Sequence, residues 1–269
     1  TMHFYPRHSL FINYGGLALK LRVLVDLEGR DVYWQMAIDE AMLILRTKGR
    51  IENTLRLYRF IPSAVTIGYF QKVREAVNLG FLEESGIPFT RRITGGGSVY
   101  HDANGEITYS VVLPIEHPLT DVQESYRIIC SGLVYALREI GVEAEFVPVN
   151  DVVLHGRKIS GSAQTRKSGY LLQHGTLMYA TDLDVLEKAL LVPAVKLESK
   201  GVKSIRERVV TLRQVVNDVD MEALVGSLVK GFSRALNATV YYDRLSEEEL
   251  MLAEQLVNKY RDRAWIFKR

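Results

Sequence analysis

Residues 91–102 read RRITGGGSVYHD, and this stretch organises the interpretation of the whole chain. Three consecutive glycines, Gly95 to Gly97, allow positive φ angles and let the backbone approach a ligand with no Cβ in the way. Successive amide N–H groups in such a turn can hold an anion, and Arg91 and Arg92 precede it with guanidinium groups shaped for phosphate or carboxylate. A plain glycine-rich hairpin turn with solvated charges is the simpler alternative. The stretch matches neither GxxxxGK[ST] nor GxGxxG, so the standard mononucleotide and dinucleotide folds are not indicated.

Length and composition favour one large domain. The chain has 269 residues, 47% of them hydrophobic, which is enough to bury a full core. We expect an N-terminal extension at residues 1–20 and a single domain at residues 21–269. The 34 Lys and Arg residues against 32 Asp and Glu residues give a net charge of +2, which argues against charge-driven nucleic-acid binding. A single cysteine excludes an internal disulfide and fits a cytoplasmic protein, and no apolar run reaches the roughly 18 residues of a membrane span.

Hydrophobic periodicity predicts strands and helices that mix without a strict βαβ rhythm. A helix is expected over residues 31–47, a strand over 54–60, and strands joined by tight turns over 151–179. Thr120 with Gln123 is the expected capping box of a long helix, and a helix after Ser246 is expected to be capped in the same way. The predicted fold class is α+β, with a mixed, mainly antiparallel sheet flanked by helices.

A second group of motifs lies in the centre of the chain. Residues 150–164 read NDVVLHGRKISGSAQ, and residues 171–177 read LLQHGTL. A single lysine in a strand is usually a solvated charge. Lys158, however, stands between two glycines and is followed by Gly161, Ser162 and Ala163, whose small size favours an inward-facing contact with an anion.

Together these three motifs, in this order, resemble the lipoate–protein ligase family. The resemblance covers roughly residues 21–265 and includes the stretch KGVKSIRERV at 200–209. It implies the fold of biotin protein ligases and class II aminoacyl-tRNA synthetases. It also implies two half-reactions, in which lipoate and ATP give lipoyl-AMP and the lipoyl group then passes to a lysine. The implied acceptors are lipoyl carrier domains of 2-oxoacid dehydrogenases or the glycine cleavage H protein.

The resemblance also implies roles for particular residues. Lys158 corresponds to the catalytic lysine, which offsets negative charge as the carboxylate attacks phosphorus, and Asp151 is the expected ligand of Mg²⁺ beside the ATP phosphates. Ile67, Gly68, Val99 and Ala163 are candidate walls of a slot for the acyl chain. The expected contacts to ATP, lipoate and the adenylate are Arg92, Gly95, Gly96, Gly97, Ser98, Val99, Tyr100, His101, Asn150, Asp151, Gly161, Ser162, Ala163, His174 and Gly175.

Three rival functions stay open beside this expectation. An octanoyltransferase that acts on acyl carrier protein shares the GRKISGSAQTR and LQHG motifs. The sequence ranks it second because it should use a cysteine shortly before the GRK motif, whereas the only thiol, Cys130, falls in an amphipathic helix. A biotin ligase should carry a basic GRGRxGR-type loop where this chain has the glycine stretch. A subunit that binds lipoyl-adenylate without catalysis is the third alternative.

Two further expectations concern the end of the chain. The longer bacterial ligases carry a C-terminal accessory domain, so we expect a small accessory subunit to act in trans. Between residues 196 and 213 stand six basic and two acidic residues. This segment is either a solvated loop or a mobile cover over a phosphate-bearing ligand.

Overall fold

The computed structural model describes residues 18–191, 204–218 and 220–269, which form two β-sheets surrounded by helices. The strands are β1 (Leu19–Arg30), β2 (Thr54–Phe60), β3 (Ala64–Ile67), β4 (Phe89–Arg91), β5 (Val99–His101), β6 (Glu106–Pro114), β7 (Glu145–Val147), β8 (Asp151–Leu154), β9 (Arg157–Lys167), β10 (Tyr170–Met178) and β11 (Ala238–Asp243). The helices are α1 (Val32–Thr47), α2 (Val73–Ala76), α3 (Leu79–Glu84), α4 (Val122–Glu139), α5 (Leu183–Ala189), α6 (Ile205–Arg208), α7 (Met221–Ala235), α8 (Glu247–Arg261) and α9 (Arg263–Ile266), with a 3₁₀ turn at Leu212–Gln214.

The large sheet has eight strands in the order β11-β1-β2-β6-β10-β9-β8-β7. β1 runs parallel to both β11 and β2, whereas the pairs from β2 to β7 are antiparallel. The small sheet has the order β4-β3-β5, with one parallel and one antiparallel pair. The predicted fold class, a mixed and mainly antiparallel sheet flanked by helices, is therefore confirmed.

Alternation along the strands divides the core between the two faces of the large sheet. Val111 of β6 packs in one cluster with α4 and α7, whereas its neighbour Val112 packs in another with α1 and α8. Leu171 and Leu172 of β10 divide in the same way. Because successive side chains of a strand point to opposite faces, this central sheet is buried on both sides. A third cluster surrounds the small sheet with α2, α3 and α5.

Helix capping agrees with the sequence at two places and differs at a third. Asp31 accepts hydrogen bonds from the first amides of α1, as expected, and Ser246 and Glu249 form the expected capping box of α8. The predicted cap at Thr120 is wrong. Asp121 caps α4 instead, because its carboxylate accepts from the amide of Glu124 at 2.8 Å.

The helices α4 and α7 touch through two glycines. A Cβ on Gly231 would collide with the carbonyl oxygen of Gly132, and a Cβ on Gly132 would lie 2.6 Å from the ring of Phe232. Phe232 in turn packs on Tyr109 of β6, with ring centroids 4.7 Å apart. The outer helix pair is thus in direct contact with the sheet beneath it.

The small sheet carries the glycine stretch between β4 and β5. Arg91, the first arginine of that stretch, is fully buried and does not face a ligand. Its guanidinium donates to the carbonyl oxygens of Gly68, Tyr69 and Gln71 and to that of Ile266 in the C-terminal helix α9. Arg91 therefore ties the end of the described chain to the loop that follows β3.

The boundaries expected at the N-terminus are only partly described. β1 begins at Leu19, so it reaches into the segment assigned to an extension, and residues 1–17 of that segment lie outside the described residues. Among the helices of residues 18–191, 204–218 and 220–269, none has the length and apolar character to cross a bilayer.

Candidate active site

A cavity of about 450 Å³ lies between the small sheet and the β8–β10 part of the large one. Its size falls in the range of roughly 300–1,000 Å³ that small-molecule sites occupy. The contact residues predicted from the sequence converge on it with the exception of Gly95, whose carbonyl accepts from Arg92. Those on the lining are Arg92, Gly96, Gly97, Ser98, Val99, Tyr100, His101, Asn150, Asp151, Lys158, Gly161, Ser162, Ala163, His174 and Gly175.

Lys158 reaches the cavity from β9 and forms an ion pair there. Its ammonium lies 2.5 Å from Oδ1 of Asp151, and the two side chains are 26% and 16% exposed. The space over Gly161 is occupied by this ammonium, so a side chain at Gly161 would displace it. Arg208 of α6 approaches Oδ2 of Asp151 at 3.3 Å. The cavity thus holds one carboxylate between two cations, only partly open to water.

The carboxylate of Asp151, the expected ligand of Mg²⁺, already has partners in the chain. Both carboxylate oxygens already face a cation, and a metal ion would have to displace Lys158 or Arg208. Across the described part of the chain, no group of three or more His, Cys, Asp or Glu side chains could hold a metal ion. Mg²⁺ at Asp151 therefore stays a prediction from the sequence, and it would compete with the ion pairs observed here.

Arg92 lies beneath the glycine loop. It is 3% exposed, and its Nη2 donates to the carbonyl oxygens of Gly95 at 2.5 Å and Gly97 at 2.7 Å. Nε donates to Thr94 Oγ1, and Nη1 faces both oxygens of Thr66. All five N–H groups of the guanidinium thus meet acceptors of the chain itself. Burial lowers the pKa of Arg92 to about 10, so it stays charged at neutral pH.

The same contacts turn two amides of the loop away from Arg92. In a trans peptide the N–H is antiparallel to the preceding C=O. With the carbonyls of Gly95 and Gly97 aimed at Arg92, the amides of Gly96 and Ser98 point the other way, and both residues line the cavity. No acceptor in the described part of the chain takes either amide hydrogen. The loop can therefore offer two amides to an anion or a developing oxyanion.

Two histidines lie behind the loop, each between a carboxylate and a threonine. His174 meets Asp39 at Nδ1 (2.9 Å) and Thr94 at Nε2 (2.7 Å). Burial lowers the pKa of His174, against the opposing effect of its hydrogen bond to Asp39, so the imidazole is neutral at pH 7. His101 is placed in the same way by a different carboxylate and threonine, and it stacks on Phe60. Both nitrogens of each ring are thus already paired with protein side chains.

The single thiol lies behind the floor of the cavity, next to Ser162. Cys130 of α4 is fully buried, 3.5 Å from Ser162 Oγ and 3.6 Å from the amide nitrogen of Gln173. Ser162 itself is hydrogen-bonded to Tyr109 at 2.7 Å. Burial raises the pKa of Cys130 to about 11, although these hydrogen bonds act in the opposite direction. The thiol is thus protonated and covered, as expected for a structural cysteine.

Apolar side chains form the remaining walls. Of the four predicted wall residues, Val99 and Ala163 line the cavity, whereas Ile67 is buried in the small-sheet cluster. Gly68 packs against the carbonyl of Gly96 instead, where no Cβ would fit. The lining also includes aliphatic residues that the sequence did not assign to a wall: Met36, Val149, Met178, Leu186, Leu190, Leu191, Ile205 and Val209.

The end of the basic segment takes part in the site. Val210 donates its amide to the carbonyl of Lys158 at 2.9 Å, and Val209 forms an isolated parallel bridge with the same residue. Ile205, Arg208 and Val209 line the cavity. Residues in the described part of that segment, 204–213, thus form a wall of the cavity. A mobile cover over a phosphate-bearing ligand stays a prediction, and residues 196–203 lie outside the described residues.

The comparisons with known proteins place the chain in the class of lipoate ligases and octanoyltransferases. It belongs to the family of the lipoyl protein ligase A/B catalytic domain, whose model matches residues 31–233. Octanoyltransferase LipM of Brevibacillus brevis is 34% identical over 87% of this chain and 94% of its own. The LipM of Kyrpidia tusciae is 35% identical over 88% and 94%. A structure of the bi-partite lipoate protein ligase of Thermoplasma acidophilum matches with a TM-score of 0.80 at 33% identity, over 93% of this chain and 97% of that one.

These relatives confirm the family and correct the reaction. The expectation of an ATP-dependent ligase that forms lipoyl-AMP is wrong on this finding, because the curated relatives are octanoyltransferases. The absence of a thiol before the GRK motif counts against a transferase only if the acyl group passes through a thioester on the enzyme. Acyl transfer from a thioester to an amine does not require that intermediate.

Proposed function

We propose that this chain transfers an octanoyl or lipoyl group from the thioester of an acyl carrier protein to the amine of a lysine on a lipoyl carrier domain. The observation that supports this proposal is the Lys158–Asp151 ion pair. It lies in the same cavity as two loop amides that have no acceptor among the described residues. A neutral amine and a thioester need a proton acceptor, a proton donor and a stabilised oxyanion, and the cavity contains a candidate for each.

The proposed step balances without a further reactant. The acceptor nitrogen forms a bond to the thioester carbon, and the carbon–sulfur bond breaks. The nitrogen loses one proton, for which Asp151 is the acceptor, and the departing thiolate gains one from the ammonium of Lys158. A proton then passes between these two side chains, which lie 2.5 Å apart, and restores the starting ion pair. The products are an amide and the free thiol of the carrier.

The glycine loop supplies electrostatic stabilisation in this proposal. The carbonyl oxygen of the thioester becomes an oxyanion in the tetrahedral intermediate. Amide hydrogens of Gly96 and Ser98, which have no acceptor in the described residues, are the donors for it. Such donors are effective because they are held in place before the charge develops.

A thioester on the enzyme is not part of the proposal. Transfer through a cysteine needs a thiolate that the donor can reach. Cys130 is covered and its pKa is raised to about 11. The acyl group therefore passes in one addition–elimination sequence from donor thiol to acceptor amine, with both carriers at the mouth of the cavity.

The acyl specificity and the partners follow from the same proposal. Octanoyl and lipoyl groups share an eight-carbon chain, for which the apolar walls around Met178, Leu190 and Val209 are suited. The acceptor is a lipoyl domain, in line with the E2 lipoyl domain studied with the Thermoplasma acidophilum ligase. Neither ATP nor Mg²⁺ is needed. A small accessory subunit stays a prediction from the sequence, and the proposed transfer does not require it.

The test is mass spectrometry of an apo lipoyl domain after incubation with the full chain. One reaction contains octanoyl acyl carrier protein and no ATP, and the other contains free octanoate or lipoate with ATP and Mg²⁺. We expect acylation of a single lysine in the first reaction and no acylation in the second. Acylation in the ATP reaction alone, or in neither, would overturn the proposal. Asp151→Asn is the companion variant and should slow the transfer, since it removes the proton acceptor.

A further inference from the structure

Two chains of buried hydrogen bonds end on the same arginine. In the first, Asp39 of α1 meets Nδ1 of His174 at 2.9 Å, and Nε2 of His174 meets Thr94 Oγ1 at 2.7 Å. Thr94 Oγ1 then accepts from Nε of Arg92 at 2.9 Å. Each of these residues is at most 6% exposed.

The second chain repeats this order from another side. Glu106 of β6 meets Nδ1 of His101 at 2.8 Å, and Nε2 of His101 meets Thr66 Oγ1 at 2.9 Å. Thr66 Oγ1 faces Nη1 of Arg92 at 3.3 Å, and the carbonyl of Thr66 lies at the same distance. A carboxylate, an imidazole and a threonine hydroxyl thus lead to Arg92 twice.

The arginine limits the direction of the protons in both chains. A guanidinium can only donate, so each threonine oxygen accepts from Arg92. The other partner of each hydroxyl is the histidine Nε2, so the arrangement that also uses the hydroxyl hydrogen has the threonine donating to Nε2. The ring proton is then on Nδ1, where the carboxylate accepts it, and both rings have the same tautomer. Thr94 is fully buried and its hydroxyl is engaged twice, so it is not a nucleophile.

The remaining donors of Arg92 hold the glycine loop. Nη2 donates to the carbonyl oxygens of Gly95 and Gly97, so the amides of Gly96 and Ser98 point away from the arginine. Gly96 has φ +85°, and a Cβ there would lie 3.0 Å from the guanidinium. The orientation of the loop amides thus depends on where the guanidinium is held.

We propose that Thr94 and Thr66 are positioning residues, which pass the orientation set by Asp39–His174 and Glu106–His101 to Arg92 and thereby aim the loop amides at the oxyanion. This role rests on the acyl transfer proposed above. Thr94 does not line the cavity, and the hydroxyl of Thr66, which does line it, is engaged with His101 and Arg92. The amides can stabilise an oxyanion only while the guanidinium keeps the loop carbonyls turned inward.

The main test compares Thr94→Val with Thr94→Ser. Valine keeps the shape of threonine and removes the hydroxyl, whereas serine keeps the hydroxyl. A misplaced loop stabilises the transition state less well but leaves substrate binding almost unchanged. We therefore expect Thr94→Val to lower kcat roughly 10- to 100-fold with little change in KM. The kcat of Thr94→Ser should stay within a few-fold of wild type. Thr66→Val should cost less than tenfold, because the Thr66 carbonyl still accepts from Arg92. An unchanged kcat in Thr94→Val would overturn the proposal.

Thr54→Val is the matched control. Thr54 is also fully buried and its hydroxyl also accepts from an arginine Nε, that of Arg22 at 3.1 Å, but it lies outside the cavity lining. We expect a comparable loss of thermal stability and an unchanged kcat.

The double variant Thr66→Val with Thr94→Val tests whether both threonines act through Arg92. Its loss should be smaller than the product of the two single losses, because both act through Arg92. A loss equal to the product would contradict a shared target.

A measurement without substrate separates this role from the reaction itself. In ¹⁵N-histidine-labelled protein, NMR of the ring nitrogens should show His101 and His174 as neutral rings protonated at Nδ1. In Thr94→Val the Nε2 signal of His174 should move to the position of a nitrogen without a hydrogen bond, with His101 unchanged. Rings protonated at Nε2 would overturn the positioning role of the threonines, whatever the activity. If the tautomers are as expected and no transfer is detected, the positioning role stands and the proposed function fails.

Discussion

Replacing the only cysteine distinguishes direct transfer from transfer through an enzyme thioester. With its pKa raised to about 11, Cys130 is a thiolate in roughly 3 × 10⁻⁴ of the molecules at pH 7.5. It is also fully buried in the core between α4 and the sheet. Cys130→Ser keeps the size of the side chain, and a hydroxyl can take over the contacts to Ser162 and Gln173. We therefore expect transfer within about threefold of wild type.

Cys130→Ala adds a stability measurement to the same test. Loss of one buried heavy atom should lower the free energy of unfolding by about 1 kcal/mol, which is about 2–4 °C in Tm for a chain of this size. The assay is the initial rate of octanoyl transfer to an apo lipoyl domain, with thermal unfolding beside it. A loss of more than about 10²-fold in both variants, with folds as stable as stated here, would refute direct transfer. An octanoyl adduct on Cys130, detected by mass spectrometry after acid quenching, would refute it independently.

Three other variants or conditions test separate parts of the site. Lys158→Ala should lower transfer by roughly 10²- to 10⁴-fold with Tm almost unchanged, because a partly exposed ion pair adds little to stability; a normal rate would show that the lysine has no catalytic role. Gly96→Ala and Gly141→Ala both place a side chain at positive φ, so each should cost about 1–2 kcal/mol of stability, but only Gly96→Ala should lower transfer, since a Cβ there meets a buried guanidinium and one at Gly141 meets nothing. Equal rates for these two variants would show that the loop tolerates displacement. The pKa of His174 is lowered from 6.5 by burial, so the unfolded chain binds more protons and this residue's contribution to stability, complete above pH 6.5, should fall as the pH drops below it. Urea unfolding at pH 7.5 and pH 5 measures the difference, which His174→Gln should reduce; an equal pH dependence in wild type and variant would contradict the assignment.

The sequence predicted those parts of the fold that depend on local patterns. β2 spans residues 54–60, as its alternation indicates, and the β9–β10 turn falls at Ser168 and Gly169, both with positive φ as in a type I′ turn. β11 was not predicted, because this strand at the sheet edge is half exposed and shows no clear alternation. Thr120 was chosen over Asp121 as a cap because its spacing to Gln123 fits the capping-box pattern, whereas the observed cap is a carboxylate one residue later.

The sequence predicted most residues at the cavity but not the partners that hold them in place. Lys158 and the glycines stand in short motifs, so local sequence was enough to find them. Asp39 stands in no motif, and Thr94, although it lies in the glycine stretch, gave no sign of its partner. Each meets His174 only through the fold, across 135 and 80 residues of chain. The sequence also predicts a ligase where the relatives are octanoyltransferases. The two classes share the local motifs and differ in how the acyl group is activated.

The glycine contact between α4 and α7 limits how the pocket can be redesigned. Since Gly132 and Gly231 bring the two helix backbones together, and Phe232 passes that spacing on to Tyr109 and the pocket floor at Ser162, enlarging either glycine would shift the floor from outside. Variant libraries aimed at longer or shorter acyl chains should therefore keep both glycines fixed and place their diversity on the opposite, aliphatic walls.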